Sequence, residues 1–177
     1  MRLLDNLYNP VENSIMTVLI IYDSMFGNTQ KIAEAMASAF AAPDAVRVLP
    51  VKEAKVEDLA NVDLLIVGSP TQGGRPMPDI AQLLAQVTRN ALKNVSAAAF
   101  DTRFLENNQN IALRLLMKTI GYAAPKVAGL LKKKGGKLIA PPEGFIVNGK
   151  EGPLADGELE RAKQWAKNLK LALIRAK

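Results

Sequence analysis

Short apolar runs alternate with longer segments of mixed polarity from Thr17 onward. Most of the apolar runs lack a polar face, which is typical of strands that are buried on both sides. The segments between them place apolar residues at helical spacing. The predicted strands are residues 17–23, 45–50, 62–68, 95–101 and 136–142. The predicted helices are residues 29–40, 78–92, 110–134 and 156–173, with a short crossover at 56–60.

Strands that alternate with helices predict a parallel sheet, because parallel neighbours need a crossover connection and such crossovers are right-handed. We therefore predict an α/β fold with a doubly wound, five-stranded parallel sheet of strand order 2-1-3-4-5. Residues 143–155 are predicted to be a polar connection, with a type I′ turn at Asn148 and Gly149.

Proline and glycine are expected to interrupt the long helical segment 110–134. Pro125 has no backbone N–H, so we expect the helix to end or kink after Tyr122. Gly135 and Gly136 are expected to stop it before the fifth strand.

The regular pattern begins directly after Met16, which is a candidate natural start. Residues 1–15 are therefore predicted to be an N-terminal extension, and residues 16–177 one domain of ordinary size. The sequence contains no run close to the roughly 20 apolar residues of a membrane span, and its first residues lack the apolar region of a signal peptide. We expect a cytoplasmic protein.

The composition excludes several classes of chemistry. The chain contains no Cys and no His. It therefore has no thiolate zinc or iron–sulfur site, no cysteine nucleophile and no Ser-His-Asp triad. We expect no metal site and no catalytic side chain, and we expect a bound cofactor to supply any redox chemistry.

Charge is distributed unevenly along the chain. The net charge is +6, yet residues 1–102 carry 8 basic and 11 acidic side chains and residues 103–177 carry 15 and 6. The basic half is consistent with solvated lysines or with a surface for an anionic partner. No aromatic residue interrupts the run Lys132, Lys133, Lys134, so we expect no nucleic-acid partner.

The loops that follow residues 23, 68 and 101 are the candidate site, because ligands of such sheets bind beyond the carboxyl ends of the strands. The first loop leads straight into a helix, whose free amides and positive dipole end favour a phosphate. The hydroxyls of Ser24 and Thr29 add hydrogen-bond donors, and Gly27 permits close approach of the backbone to the phosphate. A helix cap without a ligand is the alternative. The candidate residues are Ser24, Met25, Phe26, Gly27, Asn28 and Thr29.

The run YDSMFGNTQKIAEAMA resembles the phosphate loop of the flavodoxin family of FMN-binding proteins, and it matches at Ser24, Gly27, Asn28 and Thr29. Phe26 departs from the threonine of flavodoxin electron carriers. It is similar to the aromatic residue of WrbA-type quinone reductases and of the flavodoxin module of flavodiiron proteins. The resemblance implies that FMN is the cofactor.

The same resemblance extends to the second and third loops. It implies that residues Thr71 to Gly74 of the GSPT loop lie along the flavin ring. Because glycine is conformationally free, the Gly73–Gly74 peptide can flip to hydrogen-bond the ring, and a tight turn without a ligand is the alternative. It implies that the third loop holds the pyrimidine end by backbone contacts. Arg103 and Phe104 are candidates to face the ring, and an exposed Arg with a partly buried Phe is the alternative. The implied residues are Pro70, Thr71, Gln72, Gly73, Gly74, Asp101, Thr102, Arg103 and Phe104.

Three functions remain open at this point. The first is an FMN-binding redox protein that passes electrons to a partner protein or a small-molecule acceptor. The second is an FMN-dependent NAD(P)H:quinone-type oxidoreductase, because neither ring loop contains the Trp or Tyr that usually covers the flavin of a carrier. The third is a cofactor-free flavodoxin-like binding module.

Trp165 lies on the last predicted helix and is expected in the core.

Overall fold

The computed structural model describes residues 15–59, 61–104 and 121–176. The strands are β1 (Thr17–Tyr22), β2 (Ala45–Pro50), β3 (Leu64–Pro70), β4 (Ser96–Phe104), β5 (Lys137–Leu138) and β6 (Glu143–Val147). The helices are α1 (Asn28–Ala37), α2 (Pro78–Gln86), α3 (Ala123–Lys133) and α4 (Glu158–Ala176), with a 3-10 helix at Val56–Leu59. Residues 1–14 of the predicted extension, which spans residues 1–15, lie outside the described residues.

The strands form one parallel sheet of order β2-β1-β3-β4-β5, with β6 also paired to β4. The predicted doubly wound α/β fold and its strand order are therefore confirmed. Every residue of β3 is buried. Helices must then cover both faces of the sheet, as the continuously apolar strands predicted.

The end of the sheet differs from the prediction. The predicted strand 136–142 is shortened to Lys137–Leu138, and Pro141 and Pro142, which cannot donate hydrogen bonds to a ladder, separate it from β6. The short β5 pairs with the first residues of β4, whereas β6 pairs with the last five. The first part of the predicted connection 143–155 is thus a strand.

The predicted type I′ turn at Asn148 and Gly149 is also wrong, since neither residue has the positive φ that this turn requires. The chain instead returns over residues 148–153, which we call the β6 loop. The Asn148 amide donates to the Pro153 carbonyl at 2.8 Å, and a single antiparallel bridge joins Val147 to Leu154.

The core lies on both sides of the sheet, because successive strand residues point to opposite faces. One face packs Ile20, Ile66 and Phe100 against α1 and α4, and the other packs Leu19 and Val67 against α2 and α3. Trp165 of α4 packs against the first core, as predicted, with edge-to-face contacts to Phe100 and Phe145.

Helix α3 starts directly after Tyr122, where an interruption of the helical segment is expected, and ends before Gly135, as predicted. It begins at Ala123, directly after Tyr122, and Pro125 occupies its first turn, where a missing N–H costs nothing. Gly135 follows its end with a φ of +95°. Residues 110–120 of the predicted segment lie outside the described residues. No helix in the described part of the chain is long and apolar enough to cross a membrane.

Candidate functional site

A cleft opens at the edge of the sheet where β1, β3 and β4 end. The space between its walls is about 370 Å³ and includes volume that is open to solvent. Residues from all three predicted loops line it, together with two residues that the sequence analysis missed, Val147 and Lys150. The lining residues are Ser24, Met25, Phe26, Asn28, Thr29, Pro70, Thr71, Gln72, Thr102, Phe104, Val147 and Lys150.

The first loop ends at an open helix terminus. Gly27 is the N-cap of α1 and adopts a φ of +80°, a conformation that favours glycine. The first helical hydrogen bond runs from the Lys31 amide to the Gly27 carbonyl at 3.1 Å. The amides of Asn28 and Thr29 precede this bond, so they face out of the helix start towards the cleft. The Ser24 hydroxyl accepts a weak hydrogen bond from the Gln30 amide at 3.4 Å.

The side chains of Asn28 and Thr29 connect this helix start to distant parts of the chain. Thr29 Oγ1 and Thr102 Oγ1 are 2.8 Å apart in a buried hydrogen bond. Asn28 Nδ2 donates to the Glu151 carbonyl of the β6 loop at 2.8 Å. These two side chains therefore fix the walls of the cleft, which leaves the backbone amides as the main donors towards it.

The second loop is a tight hairpin. Gln72 and Arg75 exchange two backbone hydrogen bonds of 2.9 Å each. Gly73 and Gly74 between them have φ values of 52° and 75°, as a type I′ turn requires. Gln72 lines the cleft, whereas the two glycines form the tip of the hairpin and are not lining residues.

Thr71 is held from two sides. Its amide donates to the Thr102 carbonyl at 2.9 Å, and its Oγ1 accepts the Ala123 amide at 2.9 Å. The second loop is thereby tied to β4 and to the start of α3. Its backbone is a rigid wall of the cleft.

The predicted third loop is the end of strand β4, so its residues alternate between two sides. Thr102 and Phe104 line the cleft. Asp101 and Arg103 face away from it and form a bidentate ion pair with nitrogen–oxygen distances of 2.6 and 2.8 Å. The predicted residues of this segment thus divide into a pair at the cleft and a pair behind it.

The Asp101–Arg103 pair organises the rear of the site. Asp101 is completely buried, and its carboxylate also accepts the Ala124 amide at 2.8 Å. The Arg103 guanidinium stacks on the Tyr122 ring, 3.7 Å from its centroid. A buried carboxylate with this many donors holds the end of β4 and the start of α3 together.

Exposed apolar side chains concentrate at the cleft. Met25, Phe26 and Phe104 are 49%, 43% and 36% exposed, although apolar groups of this size are normally covered. All three line the cleft. Such a group of uncovered side chains favours a flat apolar ligand or a partner surface.

Asp23 lies directly before the first loop. Burial raises the pKa of its carboxyl, and the charge of Asp79 raises it further, against the lowering effects of the Ser24 amide and Lys52. The Asp23 carboxyl therefore keeps its proton to a higher pH than an exposed aspartate does. The cleft as a whole suits a ligand with an anionic end and a flat apolar end.

A family model described as Flavodoxin matches residues 20–110 of this chain. The chain is 41% identical over 90 residues to the anaerobic nitric oxide reductase flavorubredoxin of Vibrio vulnificus (strain YJ016). That match covers 47% of this chain but only 18% of the relative's length.

Solved structures share the fold at lower identity. A flavodoxin from the domain Archaea superposes with a TM-score of 0.67 at 18% identity, over 89% of this chain and 99% of that one. Rubredoxin oxygen:oxidoreductase from Desulfovibrio gigas gives a TM-score of 0.64 at 23% identity, over 89% of this chain and 36% of that one. The flavodiiron protein from Giardia intestinalis gives 0.67 at 21%, over 90% and 36%.

Proposed function

This chain belongs to the flavodoxin family, whose members bind FMN and transfer electrons through it, and we propose that its FMN binds in the cleft at the ends of β1, β3 and β4. One observation carries the proposal. The cleft joins unpaired amides of a helix start to a group of exposed apolar side chains. These are the two surfaces that a phosphorylated, flat ring system needs.

The phosphate end of the ligand belongs at α1. The amides of Asn28 and Thr29 and the hydroxyl of Ser24 are donors there, and the positive end of the helix dipole favours an anion. Gly27 gives the loop the backbone conformation that directs these amides outward. The buried Thr29–Thr102 hydrogen bond holds the donors in place before the ligand arrives.

The ring end belongs between the apolar side chains of Met25, Phe26 and Phe104 and the backbone of the second loop. When bound, FMN supplies the redox chemistry that this chain's own side chains lack. The apolar side chains exclude water from the ring faces, and the rigid backbone at Thr71 and Gln72 orients its polar edge. Asp101 and Arg103 do not contact the cleft. Their ion pair fixes the end of β4 and thereby positions Thr102 and Phe104.

Electron transfer to a partner protein is the activity that we propose for the bound cofactor. The flavorubredoxin and flavodiiron relatives carry the matching region within longer chains. The exposed side chains of Met25, Phe26 and Phe104 form an apolar rim around the cleft, and this rim is the surface where a partner can come closest to the ring. The partner would approach at this rim.

The first test is a titration of flavin-stripped protein with FMN and, in parallel, with riboflavin, which lacks the phosphate. We expect tight FMN binding with quenched fluorescence and shifted visible bands, and weaker binding of riboflavin because the helix amides lose their ligand. Equal affinities for the two flavins would remove the assignment of the α1 terminus to the phosphate. Absence of binding would remove the site altogether.

A quinone reductase is the second candidate function, and the open rim favours it. Within the described loops no Trp or Tyr lines the cleft, so a small flat acceptor has access to the ring. Steady NAD(P)H consumption by the FMN-loaded protein with benzoquinone is the expected result if this function is correct. Protein that holds FMN and shows no turnover leaves electron transfer to a partner as the function.

A further inference from the structure

Lys150 is the one charged side chain among the described residues that line the cleft. The other lining residues are all neutral, so no carboxylate within the described cleft offsets its charge. No acidic side chain in the described part of the chain forms an ion pair with it either. A solitary cation in an otherwise neutral cleft favours an anionic group of the ligand.

The β6 loop that carries Lys150 is anchored at the start of α1. The Asn28 side chain donates to the Glu151 carbonyl at 2.8 Å. Gly152 lies directly against the same side chain, since a Cβ atom at Gly152 would come within 2.6 Å of Asn28 Nδ2. The backbone next to Lys150 therefore contacts the start of α1, and Lys150 itself lines the cleft that begins there.

We propose that Lys150 binds the phosphate of the cofactor and thereby selects phosphorylated flavin over riboflavin. This inference rests on the proposed function, because it takes FMN binding in this cleft as given. The amides of α1 supply only partial charges, whereas the ammonium supplies a full charge and three donors on a flexible stem. A flavin phosphate is close to a dianion at neutral pH, so both sets of donors find acceptors.

The test compares Lys150→Gln with Lys150→Arg and with Lys133→Gln, a matched loss of an exposed lysine from the last turn of α3. Each protein is titrated with FMN and with riboflavin at low and high salt. We expect Lys150→Gln to weaken FMN binding about tenfold at low salt and less at high salt, and to change riboflavin binding by less than about twofold. Lys150→Arg keeps most of the FMN affinity, and Lys133→Gln keeps all of it.

Two results would overturn the assignment while the proposed function stands. One is FMN affinity of Lys150→Gln equal to that of the wild type. The other is an equal loss of affinity for FMN and riboflavin, which would identify packing of the β6 loop as the cause. A wild-type protein that binds neither flavin would instead overturn the proposed function, and the role of Lys150 with it.

Discussion

Gly68 shows how one residue decides the packing beneath the cleft. It lies in β3 directly beside Phe100 of β4, and a Cβ atom at this position would overlap the Phe100 ring. That ring cannot rotate away easily, because it is completely buried and makes edge-to-face contacts with Phe145 and Trp165. The need for glycine here comes from space rather than from backbone conformation.

Gly68→Ala is therefore expected to lower the free energy of unfolding by about 1–3 kcal/mol, the usual cost of overpacking a core. Gly129→Ala is the matched control, since Gly129 lies inside α3 with open space around it. The control is expected to raise stability by about 0.5–1 kcal/mol through the helix propensity of alanine. Urea unfolding measures both. A Gly68→Ala protein as stable as the wild type would show that the aromatic cluster adapts without cost.

At the scale of elements, α4 protects the edge of the sheet at β6. The Glu158 carboxylate accepts the Ile146 amide at 2.7 Å and pairs with Arg161 at 2.6 Å. Arg161 also pairs with Glu143 and stacks on Phe145. Burial tends to raise the pKa of Glu158, but the hydrogen bonds from Arg161 and the Ile146 amide outweigh it, and the pKa lies below its ordinary value of 4.5.

Glu158→Gln is expected to lower the free energy of unfolding at pH 7 by about 1 kcal/mol, because a neutral amide interacts less strongly with Arg161. Since the pKa is lower in the folded state, the contribution of Glu158 is fully present above pH 4.5 and is lost as the pH falls through the folded value. Melting curves from pH 7 to pH 3 should show the wild type and variant converging in acid. Glu160→Gln, a change at an exposed carboxylate that pairs with Lys163, is the control and should differ little from the wild type at any pH. A constant gap between wild type and Glu158→Gln would contradict the linkage.

At the scale of the whole molecule, the basic run Lys132–Lys134 and the cleft lie at opposite ends of the strands. Lys132, Lys133 and Lys137 stand where α3 ends and β5 begins, beside the first residues of β4. The cleft is at the other end of that nine-residue strand, about 25 Å away. Lys134 is partly structural, since its Nζ donates to the Ala85 and Val87 carbonyls. The net charge of +6 therefore does not describe the cleft, whose described lining residues are neutral except for Lys150.

The sequence alone determined the strand order, the breaks around α3 and the three segments that reach the cleft. These features depend on local signals: the period of apolar residues, the glycines and prolines, and a first loop whose residues are consecutive in the chain. The tertiary structure decided which side chains face the cleft. Thr102 and Phe104 line it while Asp101 and Arg103 do not, because the segment continues β4 and its residues alternate.

Only the folded chain also brings the β6 loop to α1, where Asn28 contacts Glu151 and Lys150 joins the site. These residues are separated by more than a hundred positions in the sequence. No local pattern encodes that contact. It arises because Pro141 and Pro142 follow the short β5, and β6 then pairs with the far half of β4, which brings the following loop to the cleft.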